Sequence, residues 1–278
     1  MPMLALSARI PATSRWPPVI LVHGVANSAA VWTFWQVELA ERGWAAYALD
    51  LRGHGQSTPA DLARATMADY AADVQAVARQ LCQAPVLIGW SMGGLVAMLA
   101  AAGSSATACV ALAPSPPARQ VDVRGPVRTG IFGPEEYGLS GREPEDQRAM
   151  PDLDAAERQI ALSSLGHESR LARDERQQGI VLERLPCPLF LVTGTLDRDW
   201  PAERYADFLL PADGLTIPNA SHWGLVLNRR ALASAVPTIL DGLLHQLEHR
   251  AGKCHHLQRV AELRDGLADP QDSKLARG

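Results

Sequence analysis

The apolar positions of this chain fall into short blocks separated by longer stretches with helical spacing. Val19–Val22 is an apolar run between Pro17-Pro18 and His23-Gly24, which predicts a strand. Ala45–Leu49, Val86–Gly89, Ala108–Ala113, Leu189–Thr193 and Leu215–Ile217 repeat that pattern. Between them lie helical periods. Trp32–Arg42 is closed by Gly43, and in Met67–Leu81 the residues Met67, Tyr70, Val74, Val77 and Leu81 share one face. A helix after Ser91 (Leu95–Ala102), another near Ala202–Leu209 and a closing region Arg229–His249 complete the alternation. Strands alternating with helices predict an α/β fold, a mostly parallel sheet flanked by helices.

The alternation is interrupted once. Residues 114–186 carry Pro-rich loops, many charges and two helical stretches, Asp154–Leu165 and Glu168–Arg184. An insertion that returns to the same sheet reads as a helical lid between two strands. The expected organisation is therefore a core of 1–113 and 187–249, a lid of 114–186, and a polar tail of 250–278. In that tail Leu257, Val260, Leu263 and Leu267 support one marginal helix or a frayed end. Ahead of Val19 there is room for one extended segment, so the N-terminal edge is expected to be shortened, without a full hairpin.

Composition narrows the function classes. Hydrophobic residues make up 47% and charged residues 20% of the 278, an ordinary globular balance. A net charge of −4 argues against nucleic acid, which needs a clustered basic face. The densest arginine group, Arg170 to Arg184, is interrupted by acids and reads as a solvated helix face. No apolar run is long enough to span a bilayer, and no leader is recognisable, so a cytoplasmic location and no membrane partner are expected. Cys82, Cys109, Cys187 and Cys254 are widely spaced; they suggest neither a disulfide framework nor a metal site.

Chemistry concentrates at the ends of the predicted strands. Gly89-Trp90-Ser91-Met92-Gly93 is a G-x-S-x-G sequence entered by an apolar strand and left by an Ala-rich helix. Such a turn projects a serine hydroxyl above the sheet, over a helix N-terminus that favours negative charge. A serine hydroxyl needs a base, and His222, in the loop after the last predicted strand, is the candidate. Asp197, in Gly194-Thr195-Leu196-Asp197 after the Leu189 strand, is the candidate acid that orients the imidazole, with Asp199 as its competitor. The backbone N–H groups of Met92 and Val25 are the expected oxyanion donors. Trp32, Trp90, Phe132, Trp200 and Trp223 lie near these loops or in the insertion and are candidates for an apolar pocket.

These residues, with His23-Gly24 and Asp50-Leu51-Arg52-Gly53-His54-Gly55-Gln56-Ser57, resemble the α/β-hydrolase fold superfamily over about Val19 to His249. The resemblance implies acyl-transfer hydrolysis through an acyl-enzyme, with no metal or cofactor. It also implies a structural role for the 50–57 loop, with Arg52 and His54 bracing the turn. The run Leu87–Ala97 is similar to the elbow of carboxylesterases that cleave pimeloyl-carrier methyl esters. The reading is thus a serine hydrolase acting on a small or medium carboxylic ester, as monomer or homodimer. A thioesterase, amidase, carbon–carbon bond hydrolase or cofactor-free perhydrolase shares the mechanism, and a catalytically silent ligand-binding protein is the alternative of another class.

Overall fold

The apolar blocks form strands where the pattern placed them, with ends moved by a residue or two. The computed structural model describes residues 3–137, 139 and 148–265, of which 248–265 by backbone alone. The strands β1 (Leu6–Arg9), β2 (Val19–Val22), β3 (Ala46–Leu49), β4 (Val86–Trp90), β5 (Ala108–Leu112), β8 (Leu189–Gly194) and β9 (Asp213–Ile217) make one sheet in the order β1-β3-β2-β4-β5-β8-β9. Every pairing is parallel except β1 with β3, where Leu6 faces Leu49. One antiparallel edge strand is what the short N-terminus has room for.

Helices α1 (Thr33–Glu41), α2 (Met67–Ala78) and α3 (Met92–Ala102) cover the sheet. Strands β2, β4 and β5 are buried along their whole length, as expected of parallel strands covered on both faces. Burying each Ile, Leu or Val there contributes about 1.5–3 kcal/mol. Helix α2 starts at a capping box, in which the Thr66 hydroxyl accepts from the Asp69 N–H and the Asp69 carboxylate accepts from the Thr66 N–H. Its face of Tyr70, Val74 and Val77 packs into one cluster with Leu95 and Val96 of α3. The expected helix from Trp32 is a 3₁₀ turn, Ala29–Trp32, running into α1, and that near Ala202 is a single 3₁₀ turn, Ala202–Tyr205.

Between β5 and β8 the chain leaves the sheet. It forms β6 (Ile131–Phe132), α4 (Ala155–Ser163), β7 (Glu168–Ser169) and α5 (Arg170–Gln178), with β6 and β7 paired antiparallel. The two helices are shorter than their sequence periods suggested. Asp154 and Ser169 cap their N-termini by accepting from Glu157 N and Ala172 N, and Gly179 at φ 104° ends α5. A short helix α6 (Gly224–Leu227) precedes α7 (Arg229–Asp265). The tail continues α7 as far as Asp265, whereas Leu267 lies outside the described residues. One compact unit ends at Val236 and a second begins at Pro237, inside α7. No helix among the described residues is long and apolar enough to cross a membrane.

Candidate active site

Ser91 sits between β4 and α3 at φ 56° and ψ −120°, outside the region non-glycine residues prefer. The turn is held because strand and helix approach closely. A Cβ on Gly93 would lie 2.3 Å from the carbonyl oxygens of both Val22 and His23, and one on Gly89 2.0 Å from that of Gly93. The Ser91 N–H donates to Leu112 O at 2.9 Å, tying the strained residue to the neighbouring strand. Ser91 and His222 line one cavity of about 290 Å³.

His222 reaches this cavity from the end of β9, and Asp197, at the end of β8, is bonded to it without lining the cavity. His222 Nδ1 donates to Asp197 Oδ2 at 2.7 Å. The other oxygen, Oδ1, accepts from the N–H groups of Asp199 at 3.0 Å and Trp200 at 2.8 Å. Burial pushes the Asp197 carboxyl up, but the bond from His222 and these two amides outweigh it and hold it below its ordinary value. Asp199, the competitor, supplies a backbone donor to Asp197, and its own side chain lies exposed on the cavity rim. Trp90 Nε1 donates to His222 O at 3.0 Å, and its ring lies 5.1 Å from the imidazole and 4.9 Å from Trp223.

Met92 is the first residue of α3, so its N–H has no partner within the helix. Val25 lines the cavity. Its neighbour Ala26, at φ 52°, is fixed from the segment between β5 and β8. Ala26 N donates to Glu168 Oε2 at 3.1 Å, Gly166 N donates to Ala26 O at 2.8 Å, and Ser164 Oγ donates to Asn27 Oδ1 at 2.7 Å.

Of the five aromatic candidates, Trp90, Trp200 and Trp223 line the cavity. Trp32 and Phe132 do not. Trp32 is fully buried, edge-on to Trp35 at 5.8 Å, because its 3₁₀ turn packs against β3, α4 and α6. Phe132 is buried beneath the guanidinium groups of Arg170 and Arg173, 5.4 and 5.0 Å from its ring.

The Asp50–Ser57 loop braces the site from below. Asp50 Oδ1 accepts from Ala29 N at 2.6 Å and Oδ2 from Gln56 N at 2.8 Å, while Arg52 pairs with Asp73 and Asp69. His23 accepts from Leu51 N through Nε2 at 3.2 Å and donates from Nδ1 to Gly24 O at 2.8 Å. Burial, then the neighbouring His54, lower its pKa to about 4, so the ring is neutral. His54 Nε2 lies 3.3 Å from Glu168 Oε2, an ion-pair distance without good hydrogen-bond alignment. Tyr70 OH donates to Glu168 Oε1 at 2.5 Å.

Sequence periodicity placed Glu168 at the start of a helical stretch and gave it no role. Glu168 is instead completely buried in β7, and Asp174 of α5 is buried against Arg128. Charge alone gives no sign of this; only the partners, distant in sequence, reveal it. Arg176 of α5 also lines the cavity and was read as a solvated arginine. Among the described residues no group of His, Cys, Asp and Glu is arranged to hold a metal ion.

A parallel sheet with a serine elbow at β4 and an acid–imidazole pair at the ends of β8 and β9 is the architecture of an α/β hydrolase. Consistent with this, the model of the Alpha/beta hydrolase family matches residues 19–235, and the chain belongs to that family. No curated protein matches the chain in sequence. Among solved structures, it is similar to a thermophilic esterase from Thermogutta terrifontis, with TM-score 0.64 and 23% identity over 86% of this chain and 93% of that one. A putative aryl esterase from Burkholderia cenocepacia is similar at TM-score 0.62 and 19% identity, over 87% and 95% of the two chains. An N-formylmaleamic acid deformylase from Pseudomonas putida follows at TM-score 0.60 and 19% identity, over 84% and 95%. At these identities the likeness is one of fold.

Proposed function

We propose that this α/β hydrolase is a serine esterase that cleaves a small carboxylic ester through an acyl-enzyme on Ser91. The observation that carries the reading is a strained serine sharing a cavity with an imidazole whose Nδ1 is held by a buried carboxylate. In this mechanism Ser91 Oγ attacks the carbonyl carbon while His222 Nε2 takes its proton. Asp197 fixes the tautomer and stabilises the imidazolium that forms. The negative oxygen sits between the N–H groups of Val25 and Met92, a pair of donors of which each contributes about 3 kcal/mol to the transition state. His222 then protonates the leaving alcohol and, in the second half, activates water to release the acid.

Ester hydrolysis is favoured over the related acyl transfers by the apolar cavity walls, Trp90, Trp200 and Trp223, and by a volume at the small end for ligand sites. The esterases among the similar structures support the same choice. The segment between β5 and β8 serves as the lid, since Leu139, Ala149, Leu165 and Arg176 close one side of the cavity. The test is hydrolysis of p-nitrophenyl esters of increasing chain length, beside Ser91→Ala. The expected result is Ser91-dependent activity that is highest for short acyl chains. Folded protein that hydrolyses none of them would support a silent ligand-binding protein instead.

A further inference from the structure

The arginines of α5 are not equivalent. Arg170 and Arg173 both pair with Glu136, which balances their charge. Arg176, one turn further on, has no carboxylate within ion-pair distance among the described residues. Its one hydrogen bond there runs from Nη1 to the neutral Ser115 Oγ at 3.2 Å, and its Nε is buried with no acceptor. A guanidinium that is partly buried, with its Nε shielded from water and no carboxylate at ion-pair distance, leaves an unmatched buried donor, which is costly. It has the planar fork that matches a carboxylate with two parallel bonds. It also lines the cavity that holds Ser91 and His222.

We propose that Arg176 is the anion-recognising group of this cavity, and that the substrate is a short ester bearing a free carboxylate. This deepens, and rests on, the esterase reading above. The cavity is about 290 Å³, so the carboxylate and the scissile carbonyl belong to one compact molecule separated by a few atoms. Asp199 is the opposing charge on the same cavity. It lies exposed at the rim, where water screens it, while Arg176 Nε is fully shielded. The nearby Asp197 and Glu168 carboxylates are already engaged, the first by His222 and two amides, the second by Ala26 N, Tyr70 OH, Ser169 N and His54. Ser115, which holds Nη1, is itself buried beside the elbow: its N–H donates to Ser91 O at 3.1 Å. Arg176 is therefore positioned relative to the nucleophile through a single residue.

The experiment compares p-nitrophenyl hemiglutarate with p-nitrophenyl butyrate, and acetoxyacetate with acetoxyacetamide, to place the carboxylate on either side of the scissile bond. Rates are taken above the Ser91→Ala background, for the wild type, Arg176→Gln and Arg176→Lys. The wild type is expected to favour the carboxylated member of at least one pair about tenfold or more in kcat/KM. That ratio should fall about tenfold in Arg176→Gln and recover partly in Arg176→Lys. Calorimetry with glutarate, which needs no turnover, should show binding that weakens about tenfold in Arg176→Gln. No carboxylate preference in the wild type and no glutarate binding would overturn the proposal, as would faster hydrolysis of acetylcholine than of neutral esters. An equal loss on charged and neutral esters in Arg176→Gln would likewise assign the residue a merely structural role. Should no ester be hydrolysed while glutarate still binds through Arg176, the esterase reading fails and the anion subsite stands.

Discussion

The two aspartates of the β8 loop differ in what their atoms hold, which separates their roles. Asp197 is buried, with one oxygen on His222 and the other on two backbone amides; Asp199 offers its amide to Asp197 and keeps its carboxylate on the rim. Asp197→Asn is expected to lower kcat by about 10⁴, since the amide favours the wrong imidazole tautomer. Asp199→Asn should cost far less, and steady-state kinetics on one ester decide between them. Equal losses would remove the distinction. Gly93 makes a second residue-scale case. Its missing Cβ is what lets α3 approach β2, and the obstacles are backbone oxygens that cannot rotate away. Gly93→Ala is expected to destabilise the protein by about 3 kcal/mol in urea unfolding. At this scale the sequence revealed what chain order and strand ends determine. Ser91, Asp197 and His222 each follow a recognisable strand, and a parallel sheet gathers such loops at one edge. Trp32 and Phe132 were misplaced because nearness to a motif loop does not say which side of a turn faces the cavity. Glu168 and Arg176 were unreadable because a charged residue looks the same in sequence whether it meets water or a distant partner.

Between elements, the segment after β5 is attached to the loop after β2 through Glu168. The carboxylate takes Ala26 N of that loop, Tyr70 OH of α2 and Ser169 N of β7, and lies against His54 of the 50–57 loop. Burial opposes its charge, but His54 and the hydrogen bonds lower its pKa to about 2. Burial also opposes charge on His54, and Glu168 overcomes that, raising the His54 pKa above its ordinary 6.5. The two contributions have opposite signs with pH. The Glu168 contribution is complete above its ordinary 4.5 and is lost as pH falls toward about 2. The His54 contribution is complete below 6.5 and is lost as pH rises through its raised pKa. Stability from the pair is thus greatest between these limits. Glu168→Gln is expected to cost about 3 kcal/mol near pH 6 and to flatten both slopes, read as Tm against pH. An unchanged Tm profile would show that the pair is not coupled to folding. A smaller effect belongs to α2: Thr66→Ala removes the capping box and should cost about 1 kcal/mol.

At the scale of the whole chain, the alternating pattern made the six parallel strands legible, because period and burial are local properties of a parallel strand, whereas β1, exposed along its length and antiparallel at the edge, was read only as one extended segment. The interior of the inserted segment was less so, since its short strands β6 and β7 have only two residues each and leave no period to read. The C-terminal end is a separate case. Falling hydrophobicity after Arg250 suggested an end, whereas the dense unit closes at Val236, before Pro237 interrupts the hydrogen bonding of α7. The cavity, the elbow, Asp197 and His222 all lie before that point, and so does the family match, which ends at residue 235. The last fully buried side chain of the described residues is Leu243. A chain ending at residue 249 therefore keeps every buried side chain described here and every group assigned to the chemistry. It is expected to retain kcat/KM on a short p-nitrophenyl ester within about threefold, and a Tm within about 4 °C, because surface and terminal changes are worth little. A loss of activity without a loss of Tm would mean that the chain beyond 249 acts on the site itself. A loss of both, together with a smaller hydrodynamic radius than the shortening explains, would mean that it holds two copies together.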